Sequence, residues 1–243
     1  MQAWGVTDVG CVRPQNQDAF QIEELDTGCT LCVVCDGMGG AKSGNVASSM
    51  AVEIFTQEVK NSWKPDMTPE EKENMLRCAV KLVNFAIFDQ AGQFADFAGM
   101  GTTLVAVLAE GSSATVVNVG DSRAYHVSTE GIRTVTQDHS IVQMMIDRGE
   151  LTPEEARSYP GKNLITRAVG TDATVECDVF QVELGNEDCL LLCTDGLTNQ
   201  VDEQEILFEV VHGDERQSCC QRLLDIALNR GAPDNVTCVL LQL

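Results

Sequence analysis

The segment LCVVCDGMGGAKSGN, Leu31 to Asn45, runs an apolar stretch into a charged residue, Asp36, and then places glycine at three of the next four positions. A short valine-rich apolar run bounded by glycine reads as a buried strand, here ending on Asp36. A bare turn needs one glycine or two. Gly37, Gly39 and Gly40 together imply a main chain that must approach something closely or take positive φ, which glycine does at little steric cost. An aspartate at the lip of such a loop points to a cation.

Outward from this segment, AWGVTD, AFQIEEL and TLCVVC read as three short strands. GNVASSMAVEIFTQEVKN carries Val46, Met50, Ile54 and Val59 at helical spacing. A second helix starts at TPEEKENML, where Thr68 caps, Pro69 takes the first position and Glu71 closes a capping box, and it runs on through Ile87. TPEEA at Thr152 to Ala156 repeats the start signal. GTTLVAVLAE, ATVVNVGDSRAYHVST and GIRTVTQ read as strands whose short connections suit antiparallel hairpins. VECDVFQVEL and DCLLLCTDG are further strands; two helices, DEQEILFEVV and ERQSCCQRLLDIALN, precede a last strand, NVTCVLLQL. Several of these strands are apolar throughout and need cover on both faces. Two packed sheets with helices outside supply it, an α+β arrangement in which hairpins outnumber crossovers.

The 243 residues show no repeat and no low-complexity linker, so one domain over 1–243 is expected. Sixteen basic against thirty-seven acidic residues give a formal charge of -21, which repels phosphate backbones and anionic lipid and argues against nucleic acid as a partner. No window approaches the ~18 apolar residues of a membrane span, and the N-terminus has no signal-peptide pattern, so a cytoplasmic protein without membrane insertion is expected. Eleven cysteines lie scattered through apolar segments rather than at loop spacings, as in a reducing compartment. Cys29, Cys32 and Cys35 have a cluster-like spacing, but on a strand a step of three sends neighbours to opposite faces, and no fourth cysteine follows.

Asp36, Asp121, Asp195 and Asp234 stand where apolar strands break off or a turn begins, and Asp18 stands at the start of a strand. One Asp-Gly is an ordinary turn; five aspartates at strand ends suggest convergence. Two carboxylates about 4 Å apart repel by roughly 4 kcal/mol at an effective dielectric of 20, so such a cluster needs cations. All-oxygen donors select Mg2+ or Mn2+, whereas zinc favours histidine or thiolate. The three histidines, His126, His139 and His212, are not spaced as a ligand set.

Eight motifs, in order, carry a resemblance over nearly the whole chain: TDVGCVRPQNQDAF, VVCDGMGGAKSGNVAS, GMGTTLVAVL, VNVGDSRAY, VTQDHS, GKNLITRAVG, LLLCTDGLTN and APDNVTCVLL. The chain resembles bacterial metal-dependent protein phosphatases, the type 2C serine/threonine phosphatases. The resemblance implies a four-layer αββα sandwich of two mainly antiparallel sheets flanked by helices. It also implies a two-ion Mn2+ or Mg2+ centre that activates a water to hydrolyse phosphoserine and phosphothreonine on proteins. By position, Asp36 bridges both ions, the Gly37 carbonyl holds one of them, and Asp195 and Asp234 complete the other. Asp121 matches a site for a weaker third ion, and Asp18 and Asn235 stand behind the ligands. Arg13 matches the arginine that grips substrate phosphate, a task suited to a planar bidentate donor. The implied partners are phosphorylated proteins and a cognate serine/threonine kinase, with the enzyme a monomer. Two departures stand out: relatives often read DGMGGH, with the histidine as general acid, where this chain has Ala41, and Gln17 replaces a common glutamate. His139 reads as structural, beside a helix start capped by Asp138 or Ser140. A catalytically weak or regulatory domain of this fold, and a small-molecule phosphoesterase, remain open on sequence.

Overall fold

Two strands, β1 (Gln2–Asp8) and β2 (Asp18–Asp26), lead into the buried β3 (Cys29–Met38). The computed structural model describes residues 1–26, 28–157 and 159–243; the side chains at 41, 42 and 157 lie outside the described set, among them that of Ala41. Helices α1 (Gly40–Ser62) and α2 (Pro69–Gln93) follow. Then come β4 (Gly101–Thr102), β5 (Leu104–Glu110), β6 (Ser113–Val119), β7 (Arg123–Ser128) and β8 (Gly131–Thr134). The short helices α3 (Ile141–Asp147) and α4 (Pro153–Arg157) precede β9 (Asp178–Glu183) and β10 (Cys189–Cys193). Last are α5 (Asp195–Thr198), α6 (Glu203–His212), α7 (Cys219–Asn229) and β11 (Val236–Gln242). Among the described residues no helix is long and apolar enough to cross a membrane.

The strands form two antiparallel sheets, ordered β1-β11-β10-β7-β8 and β2-β3-β5-β6-β9, with β4 pairing the end of β3. Alternation along each strand sorts its side chains between two layers. Val34, Val107, Val116, Leu192 and Val239 meet between the sheets. Leu31, Val33, Phe55, Leu76 and Val83 pack one sheet against α1 and α2, and Leu191, Leu223, Cys238 and Leu240 pack the other against α7. The layering is the one expected. Cys29 and Cys35 fall in the helix-facing layer and Cys32 between the sheets, so the three thiols are strand packing.

Three local expectations are corrected. β3 does not stop at Asp36 but continues to Met38, because Gly37 and Met38 find partners in the two-residue β4. The run from Ala114 to Thr129 is two strands in different sheets; Gly120, at φ 104, turns the chain from β6 into β7. Asp195 opens a helix rather than closing a strand. The Thr68–Glu71 capping box is present, with α2 continuing beyond Ile87 to Gln93, and Ser140 caps α3 by accepting from the Gln143 amide at 3.2 Å.

Candidate active site

Both sheets deliver carboxylates to one end of the sandwich. Asp18 opens β2 directly opposite Asp36 on β3. From the other sheet, Asp195 follows β10, Asp234 precedes β11, and Asp121 lies in the turn that feeds β7. Asp36, Asp121, Asp195 and Asp234 line a cleft of ≈ 530 Å³ together with Arg13, Gly37 and Asn235. Asp18 is absent from that lining and sits behind Asp36, so all eight residues singled out from the sequence gather at one place.

The main chain around Asp36 is tightly held. Its amide donates to Thr103 Oγ1 at 2.9 Å, and its carbonyl accepts from the Thr103 amide and from Thr102 Oγ1, each at 2.9 Å. The Gly37 amide donates to the Gln17 carbonyl at 3.0 Å. A Cβ at residue 37 would overlap the Gly44 carbonyl oxygen in the first turns of α1, so this glycine answers to close packing; Gly39, at φ 111, answers to backbone conformation. Gly37→Ala is therefore expected to cost about 1–3 kcal/mol, as over-packing does, and to lower turnover by displacing Asp36; a thermal melt and a rate on one sample check both. Asn235 fixes the loop carrying Arg13: Nδ2 donates to the carbonyls of Val9 and Gln15 at 2.9 and 3.0 Å, and Oδ1 accepts from the Gln17 amide at 2.8 Å.

Burial and mutual repulsion dominate the electrostatics. Asp36 is raised well above the ordinary carboxylate range, first by burial and then by the charges of Asp18, Asp195, Asp121 and Asp234. Burial, with Asp195 and Asp138 adding, pushes Asp121 up to about 7. Asp18 is likewise pushed up to about 7 by burial, against the opposing pull of two hydroxyls. Those hydroxyls, Thr194 Oγ1 and Thr237 Oγ1, donate to Asp18 Oδ2 at 2.9 and 2.7 Å, while Asp18 Oδ1 is buried without a partner. Asp195 is raised by burial and by Asp234.

Two of the carboxylates that line the cleft also have side-chain donors. Arg13 Nη2 donates to Asp234 Oδ2 at 2.7 Å, and Asn199 Nδ2 donates to Asp195 Oδ2 at 3.0 Å. Among the described residues no group of three or more His, Cys, Asp or Glu side chains is arranged as a ready ion cage. The carboxylates share a cleft without converging on a point, as expected of like charges that turn to whatever donors are near. The donor set nonetheless fits a hard divalent cation: every candidate ligand is oxygen, the carboxylates raise one another, and a buried carboxylate oxygen is unsatisfied. The nearby thiols do not compete, since burial pushes Cys193 up to about 12 and raises Cys35 as well.

Several supporting residues were not singled out from the sequence. Thr194 and Thr237 reach Asp18 across the sheets, and Thr103, which holds Asp36, shares a 2.7 Å contact with Ser122 beside Asp121. No sequence signal marks them, because lone threonines at strand ends are common. His139 is structural: Nδ1 accepts from the Gly120 amide at 3.0 Å, and Nε2 lies 2.9 Å from Arg167 Nη1 and 3.2 Å from Asp178 Oδ2. The Gln17 side-chain Nε2 donates to the Gly40 carbonyl at 3.2 Å, a bond that an ionised glutamate side chain could not make.

A family description for protein phosphatase 2C matches residues 13–223. The serine/threonine phosphatase stp of Listeria monocytogenes is 38% identical over 240 residues, covering 97% of this chain and 93% of that protein. PstP of Mycobacterium tuberculosis is 36% identical over 233 residues, covering 96% of this chain and 43% of that longer protein. Among solved structures, the serine/threonine phosphatase Stp1 from Staphylococcus aureus matches with a TM-score of 0.93 at 38% identity, covering 100% of this chain and 94% of that one. With this fold, this ordered carboxylate set and likeness across nearly its whole length, the chain belongs to the protein phosphatase 2C family and is a serine/threonine protein phosphatase.

Proposed function

We propose that residues 1–243 act as one catalytic domain that hydrolyses phosphoserine and phosphothreonine on proteins with two divalent cations, Mn2+ or Mg2+, in the cleft, reversing a serine/threonine kinase in the cytoplasm. The observation that carries this reading is the set of four carboxylates, drawn from both sheets, lining one cleft. Asp36, the Gly37 carbonyl, Asp195 and Asp234 would hold the two ions, with Asp121 beside a weaker third. When bound, such ions supply Lewis acidity and an activated water.

The chain's own residues prepare the site for an anionic substrate. Asp18 is fixed through one oxygen by Thr194 and Thr237, leaving the other to accept a proton or a water hydrogen. Asn235 holds the loop that sets Arg13 at the rim, where its side chain is half exposed. Arg13 exchanges Asp234 for substrate phosphoryl oxygens; its planar fork suits that geometry. Arg13→Ala is expected to raise KM for a phosphothreonine peptide about tenfold or more, the loss of a charge-assisted hydrogen bond, with kcat reduced less; a steady-state rate series checks the split.

Ala41 offers no proton to the leaving oxygen. General acid catalysis is worth about 10²- to 10⁴-fold, and an aryl oxide leaves with little help. The rate on aryl phosphates is therefore expected to be high relative to that on phosphoserine peptides, and Ala41→His to narrow the gap. An equal response of both substrates to that substitution contradicts this reading.

The proposal as a whole is tested by comparing phosphothreonine peptides with small phosphomonoesters in the presence of Mn2+. Efficient hydrolysis of peptides is expected. A marked preference for small phosphoesters moves the reading to a metabolite phosphatase, and failure on both to a regulatory binding domain.

A further inference from the structure

Helix α2 buries one face against α1 and its sheet through residues such as Leu76, Val80, Val83 and Ile87. Its opposite face is apolar as well. Leu82, Phe85 and Phe88, three residues apart along the helix, are 44%, 65% and 40% exposed. Single exposed apolar residues are ordinary, but a leucine and two phenylalanines exposed side by side on one face of an outer helix mark an interaction surface.

The charges beside the stripe say what covers it. Lys81 and Asp89 are both exposed and stand four residues to either side of Phe85. Among the described residues Lys81 forms no ion pair, and Asp89 accepts from Gln93 Nε2 of the next turn, at 2.6 Å. Leu82 and Phe88 stand three residues to either side of Phe85, and Cys78 and Gly92 seven. When two copies of such a helix pack antiparallel about a two-fold axis at Phe85, Lys81 of each faces Asp89 of the other, and Leu82 faces Phe88. Cys78 then faces Gly92, two small residues that let the backbones approach. An isologous contact requires this self-complementarity of one patch. A basic partner would suit the net charge of -21, but the face itself offers one lysine and one aspartate in balance.

We propose that the outer face of α2 is where two copies of this chain pair antiparallel, with Phe85 on the two-fold axis and Lys81 opposite Asp89 of the second copy. This differs from the monomer expected by resemblance. One helix pair gives an interface at the small end of the stable range, so the dimer forms in a concentration-dependent way. None of the paired residues lines the cleft, so each chain keeps its own activity.

Sedimentation or light-scattering mass, measured over a wide concentration range on the whole protein, tests this. The mass is expected to rise from 26.3 kDa toward twice that value. Phe85→Glu is expected to abolish the rise. Lys81→Glu and Asp89→Lys each place two like-charge pairs across the axis and are expected to weaken dimerisation about tenfold. An equimolar mixture of those two variants restores both attractive pairs and is expected to regain the dimer. Activity on a phosphothreonine peptide, unchanged in every variant, establishes that each is folded. A wild type that stays at 26.3 kDa throughout, a dimer indifferent to both charge variants, or a mixture that remains monomeric overturns the proposal.

Discussion

Asp36→Asn is expected to lose phosphatase turnover and, in the absence of divalent cation, to melt at a higher temperature than the wild type. Both effects come from one side chain. Asp36 lies opposite Asp18, shares the cleft with Asp121, Asp195 and Asp234, and is raised by burial and by all four. An amide of nearly the same shape removes its charge, and each like-charge neighbour so relieved is worth on the order of 1–4 kcal/mol at an effective dielectric of 20. A chain of this size gains about 2–4 °C per kcal/mol, so a rise of about 5 °C or more is expected. The same change removes a carboxylate proposed to hold the ions, and an electrostatic contribution of several kcal/mol corresponds to a loss of about 10³-fold in rate. A variant that melts lower without cation while its circular dichroism stays native would show that the carboxylates do not oppose folding. One that keeps wild-type turnover would remove Asp36 from the chemistry.

The second large effect is stabilisation by the ion itself. A ligand that binds only the folded state at 1,000 times its Kd contributes about 4 kcal/mol, which for a chain of this length is an upward shift of roughly 10 °C. Saturating Mn2+ is expected to shift the melting of the wild type by that order and the melting of Asp36→Asn by far less. The gain is tempered by competition, because Arg13 and Asn199 already hold Asp234 and Asp195, and those contacts must yield to the ion. Differential scanning calorimetry with and without Mn2+ measures the difference; identical shifts in the two proteins would mean that the ion binds elsewhere.

Much of this was legible in the sequence, and what was not has physical reasons. The strands around Asp36 showed in their apolar runs, α2 in its Thr68–Glu71 capping box, and the site in aspartates at strand ends. Each is a local signal. The extension of β3 depends on Gly101–Thr102, a two-residue strand too short to show any periodicity. The break at Gly120 is a switch between sheets, and a lone glycine in an apolar run carries no record of which sheet each half joins. The clamp on Asp18 joins residues 176 and 219 positions apart, as Thr194 and Thr237 reach it only after the sheets have packed. Likewise the Arg13–Asp234 pair, 221 positions apart, gives the expected phosphate-binding arginine a partner that motif reading could not supply.

The most direct test is to strip the protein with chelator and follow hydrolysis of a phosphothreonine peptide as Mn2+ is returned. The account requires no turnover in the stripped protein and recovery that needs two ions per chain. Full turnover by the stripped, metal-free protein would contradict it.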